Sequence, residues 1–316
     1  MTRTIDVVIP VRDNWALTES CLEHLRAQTA PHTVIICDNG SSDGTPARVR
    51  ASWEARIIEL GANLGFSAAC NRGVLAGNAE IVVLLNNDVD CRHDFLERLV
   101  APFDRDERLG SVAPILLNVE EETIESFGLA VDPTLAGYPR LRGLPTHEAA
   151  TPDAVLIGPT GAAAAYRRQA WEEVGGLDEG VFSYVEDVDL AVRLRVAGWS
   201  TTGARDAVAV HVGSASAGRR SSWQRYQGGF ARAYFLRRYD VLRSRAGPRA
   251  VVTEAIVSFA DALVFSHDLS ALRGRVGGWQ AAAGKPRNPR PPREAIDFRI
   301  TFLESLRRRF GVFIST

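Results

Sequence analysis

Residues 81–90 read IVVLLNNDVD, an apolar run that changes without a break into amides and carboxylates. An uninterrupted apolar run of this length predicts a strand that is buried on both faces. Such runs alternate with helix-like segments through the first 120 residues, which predicts a parallel sheet covered by helices on both faces. The expected strands cover residues 5–11, 33–37, 56–60 and 81–85, and the expected helices cover residues 15–28, 45–52 and 66–77.

Ligands of open α/β sheets bind beyond the carboxyl ends of the parallel strands. The segments at these ends are Pro10 and Val11, Asp38 to Gly40, Asn63, and Asn86 to Asp90. We therefore expect the functional site along this edge of the sheet.

Two carboxylates, Asp88 and Asp90, follow the predicted strand 81–85. Carboxylates at the end of a buried strand are costly unless a cation binds them, and hard divalent cations such as Mg²⁺ or Mn²⁺ prefer oxygen ligands. A cation held there would also bind a diphosphate. The structural alternative is a turn in which an aspartate caps a helix expected over residues 93–103, and the residues alone favour neither interpretation.

A second acidic group, Glu186, Asp187 and Asp189, lies at the start of a helix expected to end at Gly198. Acidic residues in a first helical turn interact favourably with the helix dipole, so a structural role is an alternative. Three crowded carboxylates should raise the pKa of at least one of them, which suits a general base. His211, after a strand-like stretch, is a candidate metal ligand or a packed core histidine.

The segment 38–45 is rich in turn-forming residues. It suits a plain strand-to-helix turn, and it equally suits a nucleotide base or ribose that donates a hydrogen bond to Asp38. Neither a GxGxxG motif nor a P-loop occurs there.

The net charge of −1 hides two halves of opposite sign. Up to His211 the chain has 18 Lys and Arg against 31 Asp and Glu, a net charge of −13, and after it the counts are 19 and 7, a net charge of +12. This difference in charge indicates that the two halves have different tasks. The length of 316 residues and a 46% hydrophobic content exclude a disordered or fibrous chain and allow about two domains.

The four cysteines show no CxxC spacing, so we expect buried thiols in a reducing cytoplasm. No signal peptide is indicated at the N-terminus. The longest apolar stretch, 251–267, contains Glu254 and Asp261 and is shorter than the roughly 20 residues of a membrane-spanning helix. These features predict a cytoplasmic protein, with at most peripheral contact at the inner face of the plasma membrane.

In their order and spacing, these motifs resemble the family 2 glycosyltransferases of the GT-A fold, especially the rhamnosyltransferase-like branch. The resemblance covers residues 4–216. The segments that carry it are Val8 to Val11, Asp38 to Thr45, Asn63 to Phe66 with Asn71, Leu84 to Val89, Gly175 to Asp178, Tyr184 to Leu194 with Gly198 and Trp199, and His211 with Ser214 and Ser216. It implies a nucleotide-binding α/β domain over residues 1–216, with a mixed, mostly parallel sheet and helices on both faces.

The resemblance also implies roles for single residues. The donor-binding positions would be Pro10, Val11, Asp38, Asn63, Gly65, Asn71, Asn86 and Asn87. Asp88 matches the metal-binding carboxylate of the family's DxD motif, and His211 matches a further metal ligand. The first Asp of that motif is replaced by Asn86, which leaves a metal role for Asp90 open. Glu186 and Asp187 match the family's ED motif, whose Asp is the catalytic base.

The implied reaction is an inverting transfer that depends on Mg²⁺ or Mn²⁺. Asp187 takes a proton from an acceptor hydroxyl, and the acceptor oxygen displaces a nucleoside diphosphate from the anomeric carbon. Arg219 and Arg220 either close over the phosphates or lie on the surface in an ordinary role. The resemblance favours dTDP-rhamnose as donor, then a UDP-hexose, and a cell-envelope or polysaccharide acceptor that is lipid-linked through a polyprenyl chain.

Two other functions are weighed against this one. A nucleotidyltransferase that makes sugar nucleotides should have a phosphate loop rich in Gly, Arg and Lys near the N-terminus, and residues 10–14 lack it. A non-catalytic protein that binds sugar nucleotides would not need Asp88, Glu186, Asp187 and His211 together.

The basic C-terminal region, residues 217–316, is Arg-rich, with helix-like segments and a Pro-rich linker at residues 285–293. Its charge fits an ordinary solvated helix surface. It also fits attachment to anionic lipid, because apolar residues accompany the arginines in segments 251–267 and 298–314. Nucleic-acid binding is not expected, since no recognised motif or aromatic platform occurs.

Overall fold

The computed structural model describes residues 3–150, 155–212 and 221–313. Its strands are β1 (Ile5–Val11), β2 (Thr33–Asp38), β3 (Ala55–Glu59), β4 (Ile81–Leu85), β5 (Val89–Cys91), β6 (Leu109–Leu117), β7 (Ile124–Ser126), β8 (Leu129–Val131), β9 (Gly137–Pro139), β10 (Ala163–Arg167) and β11 (Ser200–His211). Its helices are α1 (Trp15–Arg26), α2 (Thr45–Ser52), α3 (Phe66–Ala76), α4 (Phe95–Val100), α5 (Arg168–Val174), α6 (Glu186–Val196), α7 (Ser222–Arg238), α8 (Gly247–Ala260), α9 (Ser270–Ala281) and α10 (Phe302–Arg309).

A mixed sheet of nine strands forms the centre of the protein, in the order β3-β2-β1-β4-β10-β6-β11-β5, with β7 added beside β6. Strands β3, β2, β1 and β4 run parallel, and so do β6 and β11. Strand β10 is antiparallel to both of its neighbours, and β5 is antiparallel to β11. The carboxyl ends of β1, β2 and β4 therefore meet at one edge, as the sequence predicts.

Helices cover both faces of this sheet. α1 and α4 bury Leu22 and Leu99 against one face, whereas α3 and α6 bury Val74 and Leu194 against the other. Burial of one such side chain contributes about 1.5–3 kcal/mol to the free energy of unfolding. The expected fold, a mixed and mostly parallel sheet between two helical layers, is confirmed. The four cysteines are buried and unpaired, again as expected.

Several strands were not expected from the sequence. Strand β6 contains Pro114, a residue that usually argues against an interior strand. Strand β11 begins with the polar segment Ser200 to Thr202, so only its last residues read as a strand. Strand β5 lies inside the acidic motif, where the sequence predicts no strand, and its partner is the distant β11.

The C-terminal helices pack tightly on one another and on the sheet domain. A Cβ atom added at Gly274 or Gly278 of α9 would lie 2.0 Å from a backbone carbonyl oxygen of α7, so only glycine allows this approach. Phe235 and Tyr239 of this region share a hydrophobic core with Val188 and Val192 of α6. The helical C-terminal extension that the sequence predicts is confirmed.

One buried carboxylate connects four of these helices. Glu254 of α8 accepts hydrogen bonds from Arg232 of α7 at 2.8 Å, from Arg275 of α9 at 2.9 Å and from Arg309 of α10 at 3.1 Å. Burial opposes the ionisation of Glu254, but the three guanidinium groups hold its pKa well below the usual range. Part of the basic excess after His211 is therefore used inside the protein.

Within the described ranges, none of the helices combines the length and the apolar character that a membrane span requires.

Candidate active site

The loops after β1 and β2 are joined by hydrogen bonds at the predicted ligand edge. Asp38 ends β2, is 3% exposed, and accepts the backbone N–H of Ser41 at 3.2 Å. Ser41 also accepts the backbone N–H of Asp13, and Ser42 donates its own N–H to the Asp13 carboxylate at 2.7 Å. Pro10 and Val11 lie in β1 directly opposite the end of β2. These contacts form one polar rim beside the buried strands.

Asn39 ties this rim to the predicted donor-binding residues Asn63 and Gly65. Its side-chain amide donates to Asn63 Oδ1 at 3.0 Å and to the carbonyl of Gly65 at 3.2 Å, and its Oδ1 accepts the N–H of Leu64 at 2.7 Å. Gly65 has a φ of 92°, and a Cβ there would lie 2.6 Å from the carbonyl oxygen of Phe182. The structure thus brings Asp38, Asn63 and Gly65 together around Asn39.

Two of the predicted donor-binding side chains are engaged elsewhere. Asn71 forms two hydrogen bonds of 2.9 Å with the backbone of Leu177, so it holds the turn before α6. Asn87 donates to Thr18 of α1 at 2.9 Å. In this arrangement both residues position backbone segments around the rim.

Asp88 and His211 are brought together by the pairing of β5 with β11. The backbone N–H of Val212 donates to the carbonyl of Asp88 at 2.8 Å, and His211 Nε2 lies 3.2 Å from Asp88 Oδ1. His211 Nδ1 lies 2.9 Å from Glu125 Oε2. Burial by itself lowers the pKa of His211, but the Asp88 and Glu125 carboxylates on either side of the ring raise it to about 10. The imidazole is therefore held between two carboxylates.

The side chain of Asp90 and the backbone of Asn86 form hydrogen bonds with other residues. The Asp90 carboxylate accepts the hydroxyl of Ser20 at 3.0 Å and lies 3.4 Å from Nδ1 of His24, both on α1. Asn86 donates its backbone N–H to the carbonyl of Ala162 at 2.9 Å. Of the two aspartates in the acidic motif, Asp88 is the one that the structure places beside His211.

The side-chain atoms of Asp88 and His211 are suitable ligands for a divalent cation. Asp88 Oδ1 is buried and receives no hydrogen bond that meets normal geometry from the described residues, so it has a lone pair available for a ligand. A carboxylate oxygen and an imidazole nitrogen are ligands for Mn²⁺. In the part of the chain that the structure describes, no group of three or more His, Cys, Asp or Glu side chains could hold a metal. A cation held by these two residues would need further oxygen ligands.

The Glu186–Asp187 pair opens α6 on the other side of the site. Glu186 is 8% exposed, and its Oε2 atom has no hydrogen-bond partner among the described residues. Burial and the neighbouring Asp187 raise the pKa of Glu186 to about 8, and burial raises that of Asp187. Asp187 accepts the backbone N–H of Gly161 at 3.0 Å and that of Val188 at 2.8 Å, and these bonds favour its ionised form. Burial and mutual repulsion therefore make the pair take up a proton more readily than two isolated carboxyl groups would.

A short loop, residues 161–162, connects the acid pair to the acidic motif. Gly161 donates to Asp187, and the next residue, Ala162, accepts the backbone N–H of Asn86. A Cβ at Gly161 would also lie 3.5 Å from Glu186 Oε1 and 3.6 Å from the ring of Phe66, the first residue of α3. The acid pair, the start of α3 and the acidic motif are therefore neighbours around one loop.

Sequence reasoning missed three residues of this site: Asn39, Glu125 and Gly161. Asn39 follows the singled-out Asp38 directly, so its position gave a signal. Glu125 lies in a stretch that reads as a strand, and nothing in its spacing points to His211. Gly161 acts through its backbone, which leaves no signal in the residue type. The predicted phosphate contacts Arg219 and Arg220, like Ser214 and Ser216, lie outside the described residues.

Comparisons with known proteins identify the family of this chain. The sequence model of Glycosyl transferase family 2 matches residues 6–175, and that of Glycosyl transferase family group 2 matches residues 147–283. An N-acetylglucosaminyl-diphospho-decaprenol L-rhamnosyltransferase of Mycobacterium tuberculosis is 31% identical in an alignment 231 positions long that covers 61% of this chain and 70% of that protein.

Two solved structures share the fold. The mannosyltransferase PcManGT from Pyrobaculum calidifontis, in complex with GDP-Man and Mn²⁺, has a TM-score of 0.56 at 20% identity and covers 98% of this chain and 85% of its own. GalNAc-T7 with UDP, GalNAc and Mn²⁺ has a TM-score of 0.62 at 13% identity, with 98% and 57% covered. Because the family 2 sequence model spans more than half of the chain, and a rhamnosyltransferase is 31% identical to it, the chain is a glycosyltransferase that belongs to family 2, in its rhamnosyltransferase-like branch.

Proposed function

We propose that this enzyme is a metal-dependent, inverting glycosyltransferase that uses a nucleoside-diphosphate sugar. The donor is dTDP-rhamnose or, as second choice, a UDP-hexose, and the acceptor is a hydroxyl of a polyprenyl-linked or other cell-envelope glycan. The observation that carries the proposal is the loop 161–162, which holds Asp187 on one side and the backbone of Asn86 on the other. The decaprenol-linked acceptor in the name of the 31% identical relative supports this acceptor class.

The acid pair supplies the proton transfer. Asp187 accepts the proton of the acceptor hydroxyl as the acceptor oxygen forms its bond to the anomeric carbon. The bond from that carbon to the diphosphate breaks at the same time, and the electron pair leaves with the diphosphate. Two backbone N–H groups fix the Asp187 carboxylate and favour its ionised form, which is the form that can accept a proton.

Asp88 and His211 would hold the divalent cation, Mg²⁺ or Mn²⁺. When bound, the cation offsets the negative charge that grows on the leaving diphosphate, a Lewis-acid role. The Mn²⁺ in the two related structures supports this assignment. The rim around Asp38, Asn39 and Asn63 would bind the nucleoside part of the donor.

A thermal-shift screen tests the donor class. We expect dTDP- or UDP-sugars with Mn²⁺ or Mg²⁺ to stabilise the protein, because a ligand that binds only the folded state adds about 2.7 kcal/mol at a hundred times its dissociation constant. Adenosine and guanosine diphosphate sugars, at the same concentration, are the matched controls. The proposal fails if no nucleoside-diphosphate sugar shifts the transition. Release of pyrophosphate from a nucleoside triphosphate and a sugar phosphate would support the nucleotidyltransferase instead.

We further propose that the C-terminal region, residues 217–316, contacts an anionic lipid surface. Ten apolar side chains of α8, the following segment 261–269, and α9 are at least 39% exposed, and we call them the apolar surface: Val251, Val252, Ile256, Phe259, Leu263, Val264, Phe265, Leu269, Leu272 and Val276. Exposed Arg245 and Arg273 flank it, and the net charge after His211 is +12. Apolar area beside cationic side chains is typical of proteins that bind at the lipid headgroup region.

Sedimentation with vesicles tests this surface. The wild-type protein should sediment with vesicles that contain about 30% phosphatidylglycerol more than with neutral ones, since about 1 kcal/mol of attraction is expected for each basic residue near an anionic surface. The double variant Phe259→Glu, Val264→Glu should lose this binding. Leu75→Glu, at a side chain 79% exposed on α3, is the matched control and should keep it. Equal binding by the double variant, or a stable dimer in solution that covers the surface, would contradict the proposal.

A further inference from the structure

His211 has a partner that no motif indicates. Oε2 of Glu125 lies 2.9 Å from His211 Nδ1, and the two side chains are 17% and 15% exposed. The other ring nitrogen, Nε2, lies 3.2 Å from Asp88 Oδ1. The imidazole is therefore fixed at both ends, with Glu125 on the side away from Asp88.

The backbone around Glu125 is irregular, and this irregularity affects the direction of the Glu125 side chain. Strand β7 pairs with β6 through Leu116 with Ser126 and through Leu117 with Ile124, so Glu125 has no residue opposite it on β6. This is the pattern of a β-bulge, which bends a strand and changes the direction of a side chain, often beside an active site. Strand β6 also pairs with β11, which places Glu125 across β6 from His211.

The contact with Glu125 determines which ring nitrogen of His211 can bind a cation. A carboxylate at Nδ1 holds a proton on that nitrogen, so Nε2 is the nitrogen that loses its proton when a cation binds. Such a partner also fixes the plane of the ring. Since Nε2 already faces Asp88, one cation could contact both residues with no rotation of the imidazole.

We propose that Glu125 is a positioning residue for the metal-binding role of His211. It holds the Nδ1 proton and presents Nε2 to the cation that Asp88 shares, without itself being a ligand. This inference rests on the proposed metal dependence of the enzyme.

Direct titration with MnCl₂, followed by the electron paramagnetic resonance of free Mn²⁺ with and without UDP or dTDP, tests the inference apart from catalysis. Glu125→Ala should weaken Mn²⁺ binding about 10- to 100-fold, as expected on loss of an outer partner of a metal ligand. Glu125→Gln should retain most of the affinity, because its amide oxygen can still accept a hydrogen bond from the Nδ1–H group. Glu122→Ala, at an exposed glutamate three positions earlier, is the matched control and should bind like the wild type.

The metal dependence of the enzyme and the role of Glu125 are contradicted by different results. If the wild type binds no Mn²⁺ in any of these conditions, the metal-dependent function is wrong, and this inference falls with it. If the wild type binds Mn²⁺ and Glu125→Ala binds it equally well, only the role of Glu125 is wrong. Should the alanine variant not fold, ¹⁵N-histidine spectra of the wild type with ZnCl₂ decide: the His211 signal must keep its proton on Nδ1 and shift at Nε2, and the reverse assignment overturns the proposal.

Discussion

Replacing Asp187 by asparagine should lower kcat by about 10²–10⁴-fold, the contribution that general bases typically make. The amide has nearly the shape of the carboxylate, and its oxygen can still accept the N–H of Gly161, which the carboxylate now accepts at 3.0 Å. Donor binding, measured as a thermal shift, should therefore change little. The measurement is steady-state transfer to an acceptor, with Asp94→Asn, at a partly exposed carboxylate, as matched control.

The pH dependence gives this prediction a second readout. Burial raises the pKa of Asp187, so the acid pair should lose activity on acidification at a pH above the usual range of an aspartate. The base must be ionised to accept a proton, and activity should therefore fall as pH falls through this pKa. This acid limb should be absent from the residual activity of Asp187→Asn. A variant with full activity and an unchanged acid limb would remove Asp187 from the role of base.

Removing the divalent cation should have the other large effect. Lewis-acid stabilisation of a leaving diphosphate amounts to several kcal/mol, so chelation with EDTA should lower kcat by about 10²–10³-fold. Mn²⁺ in excess over the chelator should restore it. Asp88→Ala should cause a loss of similar size that added Mn²⁺ recovers only in part, because His211 alone remains as a protein ligand.

The control for this prediction is the neighbouring carboxylate. Asp90 contacts Ser20 and His24 of α1, and it does not contact His211. Asp90→Asn should therefore keep the Mn²⁺ concentration at half-maximal activity within about threefold, a shift below 1 kcal/mol. Turnover that survives EDTA undiminished would show that the reaction needs no cation.

The sequence predicts the first half of the fold well because that half is built from local patterns. Strands β1 and β4 and helix α2 agree with the expected ranges to the residue, since their apolar runs and turn residues are contiguous. Strand β5 is short and polar, and pairing with β11, more than 100 residues later, makes it a strand. That pairing requires tertiary structure, which a local pattern does not contain.

The candidate site shows the same difference between local patterns and tertiary contacts. Asp88, His211, Glu186 and Asp187 could be singled out because their chemistry is visible in the residue type. What those side chains contact could not be read from the sequence: Asn71 turns to Leu177, Asp90 to α1, and Glu125 to His211. Gly161 contributes only a backbone N–H. Such roles depend on where loops and a bulge place the backbone.

The carboxylate of Glu254 binds arginines from three other helices. This shared contact affects how the protein unfolds. Arg309, on α10, is among the last residues that the structure describes, yet its guanidinium binds the same carboxylate as Arg232 and Arg275. Proteolytic removal of α10 would take away one of the three guanidinium groups that bind Glu254. It would also expose the apolar side chains around this buried cluster. Partial unfolding from the C-terminus is thereby coupled to the whole helical region, which should melt as one cooperative unit with no gradual fraying.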